Sequence, residues 1–161
     1  MWDLEKERAK RARNVIVTEV PEPTGSIEEK RRADFDSVCT LFKDKMMIRE
    51  SDVIIQSVWR IGRYDADKTR CLKVVLDREF MVGTVLKTSR VLQNSSDELL
   101  KKISIFKDLI QIDRDQRRLL VSDLKEKNRA LKDTDPQTTD KYVIRNEKVI
   151  LVDKDYNPKS I

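Results

Sequence analysis

The sequence has no histidine, only two cysteines (Cys39 and Cys71) and only three glycines. Without imidazole and with two lone thiols, no metal-ligand spacing can be assembled. Three scattered glycines make no phosphate-cradling loop, no Ser or Cys stands beside a general base, and no aspartate cluster suggests a two-metal site. The pair Arg13 and Asn14 is too generic to stand for a small arginine–asparagine hydrolase. No catalytic residue, metal or cofactor is therefore expected. The cysteines read as small buried hydrophobes of a reducing compartment. No run of about 18 apolar residues occurs, so no membrane-spanning helix is expected.

Charge is what the chain has in quantity. Lys and Arg number 34 against 29 Asp and Glu in 161 residues, a net charge of +5 with 39% of positions charged. Most such charge solvates helix faces, and the excess favours an acidic partner only mildly. The length suits one ordinary domain with an appendage, or two small ones.

Periodicity orders the chain. Residues 1–13 read as the end of a charged helix or coiled coil. Asn14 to Val20 is a β-branched strand closed by "PEPTG". Ser26 and Glu29 form a capping box ahead of Phe35, Val38, Cys39, Phe42 and Met46, an amphipathic helix of about twenty residues. Asp52 to Tyr64 predicts a long strand with Val53, Ile55, Ser57, Trp59 and Ile61 on one face. Arg70 to Leu76 follows as a strand that buries Leu72, Val74 and Leu76. Asp77 is placed to cap a helix with Val82, Val85 and Leu86, and a short turn through Leu99 and Leu100 precedes a strand at Ile103 to Lys107. The order strand, helix, strand, strand, helix, strand predicts an α+β fold, a ferredoxin-like βαββαβ sandwich over residues 14–110.

Residues 111–161 predict a small unit of helix plus hairpin. Asp113 and Gln116 are spaced as a capping box, and Leu119, Leu120, Leu124 and Leu131 mark the stripe. Behind it, "KYVIRNEKVILV" reads as a hairpin with a two-residue Asn146-Glu147 turn. Arg145 then faces Lys148 across the strands. Tyr142, Ile144, Val149 and Leu151 form the side that covers the helix.

The blocks "NVIVTEVPE", "VWRIGR", "RCLKVVL", "IQIDRDQRRLL" and "VIRNEKVIL", in this order over nearly the whole chain, resemble the RNA-recognition-motif plus C-terminal-domain module of first-reading-frame proteins of LINE-type retrotransposons. The resemblance implies an RNA-binding nucleic acid chaperone found in cytoplasmic or nuclear ribonucleoprotein particles, with polymerase and nuclease on a separate protein. Such proteins oligomerise through a coiled coil ahead of the motif. Only about thirteen residues precede the first strand here, so a homo-oligomer is expected only with a longer N-terminal coiled coil.

Ordinary recognition motifs stack bases on aromatics of their first and third strands. Here Ile16 and Thr18, and Cys71, Lys73 and Val75, are expected on the open face, which leaves it without an aromatic; Trp59 is assigned to the core. Binding is then expected from phosphate contacts. The candidates are Arg60, Arg63, Lys68, Arg70 and Lys73, with Tyr64 stacking a base from the loop. Arg114, Arg117 and Arg118 at the helix start would take a phosphate against the free N–H groups. Lys141, Arg145 and Lys148 on the hairpin would form the far jaw of a clamp. The expected partner is single-stranded RNA bound without sequence preference, with single-stranded DNA the second candidate and no membrane. The alternative is a ferredoxin-like protein–protein interaction module.

Overall fold

The computed structural model describes residues 3–160, and the chain divides between Asp108 and Leu109 into two compact units. The first opens with a charged helix, α1 (Leu4–Arg11), and then β1 (Asn14–Val17). Val15 and Val17 are fully buried, as β-branched residues on a pleated central strand should be. The strand is shorter than the expected Asn14 to Val20, because Glu19 takes a positive φ of 61° and Pro21 and Pro23 follow.

Helix α2 (Ile27–Thr40) begins with the capping box in full: the Glu29 N–H donates to Ser26 Oγ at 3.2 Å, and the Ser26 N–H donates to Glu29 Oε2 at 2.8 Å. It ends in one π-helical turn, Leu41–Lys45, closed by the Met46 N–H on the Leu41 carbonyl at 2.9 Å. Val38, Leu41, Phe42 and Met46 are thereby all buried. β2 (Ile55–Arg60), β3 (Leu72–Leu76), α3 (Glu79–Thr88) with a 3₁₀ turn at Ser89–Asn94, α4 (Glu98–Lys102) and β4 (Ile105–Lys107) follow. The four strands form one antiparallel sheet in the order β2-β3-β1-β4, and the unit is α+β. Val15, Val17, Val58, Leu72, Val74 and Leu76 meet Met81, Val82 and Val85 of α3 and the α2 residues in a single core.

Two expectations fail here for stated reasons. Asp77 does not cap α3; Arg78 occupies the N-cap without a side-chain bond, and the Asp77 carboxylate accepts from the Gln56 amide at 3.0 Å. The face assignment of β2 fails because Ile55 pairs with Leu76 while Ser57 already pairs with Val75, so that Gln56 is the extra residue of a β-bulge. One inserted residue inverts the alternation beyond it. Val58, not Trp59, therefore packs opposite Val74 in the core, and Trp59 and Ile61 are exposed.

The second unit is α5 (Gln111–Thr134) with the hairpin β5 (Lys141–Arg145) and β6 (Lys148–Val152). The register is the expected one: Lys141 opposite Val152, Val143 opposite Ile150 and Arg145 opposite Lys148. Asn146 and Glu147 have φ of 48° and 59°, the two positive values of a type I′ turn. Asn128 holds the strand to the helix, donating to the Tyr142 carbonyl at 3.0 Å and accepting from its N–H at 2.7 Å.

α5 starts earlier than expected. Ile110 is its N-cap, with no side-chain bond, so Asp113 lies inside the first turn and no capping box with Gln116 forms. An acidic residue is stabilised there by the helix dipole without being a cap. Leu120, Leu124 and Leu131 are half-buried, but Leu119, a hundred degrees round from Leu120, is 72% exposed. On the hairpin the fully buried residue is Val152, on the side opposite Tyr142 and Leu151, because the chain after β6 folds back along it: the Lys159 N–H donates to the Leu151 carbonyl at 2.9 Å and Val152 bridges to Pro158. Among the described residues, no helix is long and apolar enough to cross a membrane.

Candidate nucleic-acid interface

The first unit spends several of its candidate cations on its own structure. Arg60 pairs in register with Leu72, which aims it at the helix side of the sheet. There its guanidinium meets both Asp34 oxygens at 2.7 and 3.1 Å and donates to the carbonyls of Val20, Pro21 and Arg70. With both side chains 6% exposed, this is a buried ion pair, and Arg60 is not available to a phosphate.

Arg70 is likewise withdrawn. Its Nε and Nη2 reach Glu22 Oε1 at 2.8 and 2.7 Å, and its Nη1 donates to the Gly62 carbonyl at 3.2 Å. Burial acts to raise the Glu22 carboxyl, but the Arg70 hydrogen bonds outweigh it and hold it below the usual carboxylate range. The connection between β2 and β3 is thus tied to the segment after β1. What it presents outward includes Arg63, Lys68 and Tyr64, and between them Asp65 and Asp67. Tyr64 is 61% exposed, with the Lys30 ammonium 5.8 Å and the Arg70 guanidinium 5.6 Å from its ring centre. Lys30, one turn into α2, was not among the sequence candidates. Arg63 and Lys68 have no side-chain partner among the described residues.

The open face of the sheet differs most from expectation. Ile16 and Lys73 stand on it, but so do Trp59, opposite Lys73, and Phe106, opposite Ile16. Lys73 lies 5.7 Å from the Trp59 ring centre and 3.7 Å from Asp108, whose carboxylate also accepts from Arg11 at 3.1 Å and from Asn14 at 2.9 Å. Lys73 is therefore a paired cation beside an exposed indole.

In the second unit the earlier start of α5 puts Arg114 at the end of the first turn, its N–H already bonded to the Ile110 carbonyl at 3.0 Å, and Arg117 and Arg118 in the second turn. They are exposed, but a phosphate at the free N–H groups no longer follows from their position. Arg118 reaches Asp115 at 3.4 Å. At a hundred degrees per residue, Arg114 and Arg118 are continued by Lys125, Arg129 and Lys132 in one stripe, while Asp115, Asp123, Glu126 and Asp133 fall on another. Of these cations Arg114, Lys125, Arg129 and Lys132, together with Arg117 at the stripe's edge, have no ion-pair partner among the described residues. The stripe spans about 27 Å of helix. Lys125, Arg129 and Lys132 were missed, although their spacing of four, seven, four and three from Arg114 is readable in the sequence.

On the hairpin, the returning chain engages two of the three candidates. The Lys141 ammonium donates to the Tyr156 hydroxyl at 2.6 Å and sits 4.2 Å from its ring centre; Arg145 donates to the Tyr156 carbonyl at 2.8 Å. The like-charge pair is relieved by that carbonyl rather than by an external anion, which leaves Lys148 as the hairpin's uncommitted cation among the described residues. Cys39 and Cys71 are free and half-buried, and burial pushes the Cys39 thiol up, with Asp36 and Glu50 adding to it. Among the described residues no three of His, Cys, Asp or Glu gather as a metal site. No protein-family model matches the chain, and no curated protein sequence matches it.

Proposed function

We propose that this chain binds single-stranded nucleic acid, RNA foremost and single-stranded DNA second, along its phosphate backbone and without reading its sequence. The observation that carries the reading is the stripe of cations on α5, in which all but Arg118 have no ion-pair partner among the described residues, on a different side of the helix from Asp115, Asp123, Glu126 and Asp133. Folding pairs cations where it uses them, as at Arg60 and Arg70; a row of about 27 Å in which only Arg118 has an ion-pair partner among the described residues, about 100° round from the half-buried leucines, serves an external polyanion. Arg63, Lys68 and Lys148 add to it. Because the two units are covalently joined, weak backbone contacts in each act on one strand with the avidity of a clamp. Neutralising phosphates while leaving base edges free also lowers the repulsion between two strands, the physical requirement of a nucleic acid chaperone.

The strand order β2-β3-β1-β4, with α2 between β1 and β2 and α3 between β3 and β4, supports a ferredoxin-like, RNA-recognition-motif-type reading of the first unit. That reading accords with the order of blocks that resembles retrotransposon first-reading-frame proteins. A protein partner is favoured by a separate observation: Ile112 and Leu119, seven residues apart on one face of α5, are both exposed. Filter binding of unstructured poly(A), poly(U) and mixed-sequence RNA between 50 and 200 mM salt separates the two. Similar affinities that fall steeply with salt are expected. Undetectable or salt-independent binding overturns the proposal in favour of the protein module.

A further inference from the structure

The open face carries one row in which four side chains stand side by side in register: Trp59 on β2, Lys73 on β3, Ile16 on β1 and Phe106 on β4. The outer two are aromatic and about half exposed, 45% for Trp59 and 47% for Phe106, whereas Ile16 between them is buried. Three strand spacings separate the rings, about 14 Å. Around the carboxylate of Asp108 stand two cations, Lys73 and Arg11. The connection into which β2 leads exposes Arg63 and Lys68, with no side-chain partner among the described residues, together with Asp65 and Asp67.

We propose that this row is a base-stacking platform, one base lying on Trp59 and another on Phe106 while the intervening backbone crosses Lys73. The inference rests on the nucleic-acid reading above and deepens it, because it selects single-stranded over duplex substrates. A duplex hides the faces of its bases, whereas every unpaired base offers a π-face, so stacking adds affinity without adding sequence preference. The rings sit on the second and fourth strands, not on the first and third strands that ordinary recognition motifs use. Their separation of about 14 Å is several times the rise of about 3.4 Å between stacked neighbours, so the two bases cannot be adjacent in one stack and the strand is held splayed. A cation inside the row suits a polyanion better than an apolar protein surface, and the row's one aliphatic member is buried.

The test uses Trp2→Phe protein, in which Trp59 is the only indole. Titration with a mixed-sequence single-stranded RNA is expected to quench its fluorescence with the midpoint seen in filter binding, and an RNA duplex of equal length to bind more weakly. Trp59→Ala and Phe106→Ala are each expected to weaken binding at least about fivefold, the lower end of what stacking one base contributes. Their salt dependence should stay unchanged, and Trp59→Phe should retain most of the affinity. A double alanine variant that melts like the parent and binds RNA equally well overturns the platform and leaves backbone binding standing. The same result with loss of self-association in sedimentation assigns the row to a contact between protein copies and equally overturns it. Absence of RNA binding by the parent protein removes both.

Discussion

Arg60 and Arg117 carry the same side chain and meet opposite fates. Arg60 makes five hydrogen bonds in a site it shares with Asp34, while Arg117 lies on α5 with no ion partner among the described residues. Removing one member of a buried ion pair leaves the other charge uncompensated, so Arg60→Ala is expected to lower stability by about 3–5 kcal/mol. Arg117→Ala should change it by less than about 0.5 kcal/mol. Urea denaturation of the two variants checks the contrast. Nothing local in the sequence distinguishes them. Asp34 is one of many charges on α2, and it becomes the partner of Arg60 only because the bulged β2 turns Arg60 to the same side of the sheet as Leu72.

Among the elements, those fixed by local chemistry were legible. Ser26 and Glu29 announce the start of α2, strict alternation announces β3, and the two-residue Asn-Glu turn sets the hairpin register. What was not legible depended on one residue or on distant partners. A single bulged Gln56 moved Trp59 from the core to the open face, whereas Phe106 stands there independently of the bulge because its neighbour Ile105 packs against the core. On α5, Asp113 fitted a cap and a first-turn position equally well, and the structure took the second. Long-range partners decide the β2–β3 connection too, where Glu22 braces Arg70. A carboxyl held below its unfolded value contributes stability that is complete above that value and is lost as pH falls through the lowered one. The advantage of the native protein over Glu22→Gln should therefore be full at neutral pH and shrink once pH drops below the ordinary glutamate value of about 4.3. Paired urea midpoints from pH 7 to pH 3 are the measurement; a difference independent of pH would mean that the ion pair contributes nothing.

For the molecule as a whole, a net charge of +5 says little until the committed cations are set apart from the uncommitted ones. Arg60, Arg70, Lys73, Lys141 and Arg145 are held by the fold; Arg63, Lys68, Lys148 and the α5 stripe apart from Arg118 have no side-chain partner among the described residues. Binding along a backbone has a quantitative signature, because each phosphate neutralised on a single strand contributes about −0.7 to the slope of log K against log salt. The most direct measurement is that slope for the native protein and for a variant with Arg114, Arg117, Lys125, Arg129 and Lys132 changed to Ala. The expected result is a steep native slope that becomes shallower by about 3.5 in the variant, with thermal unfolding unchanged. A variant that keeps the native slope and affinity would contradict the assignment of α5 as the backbone track.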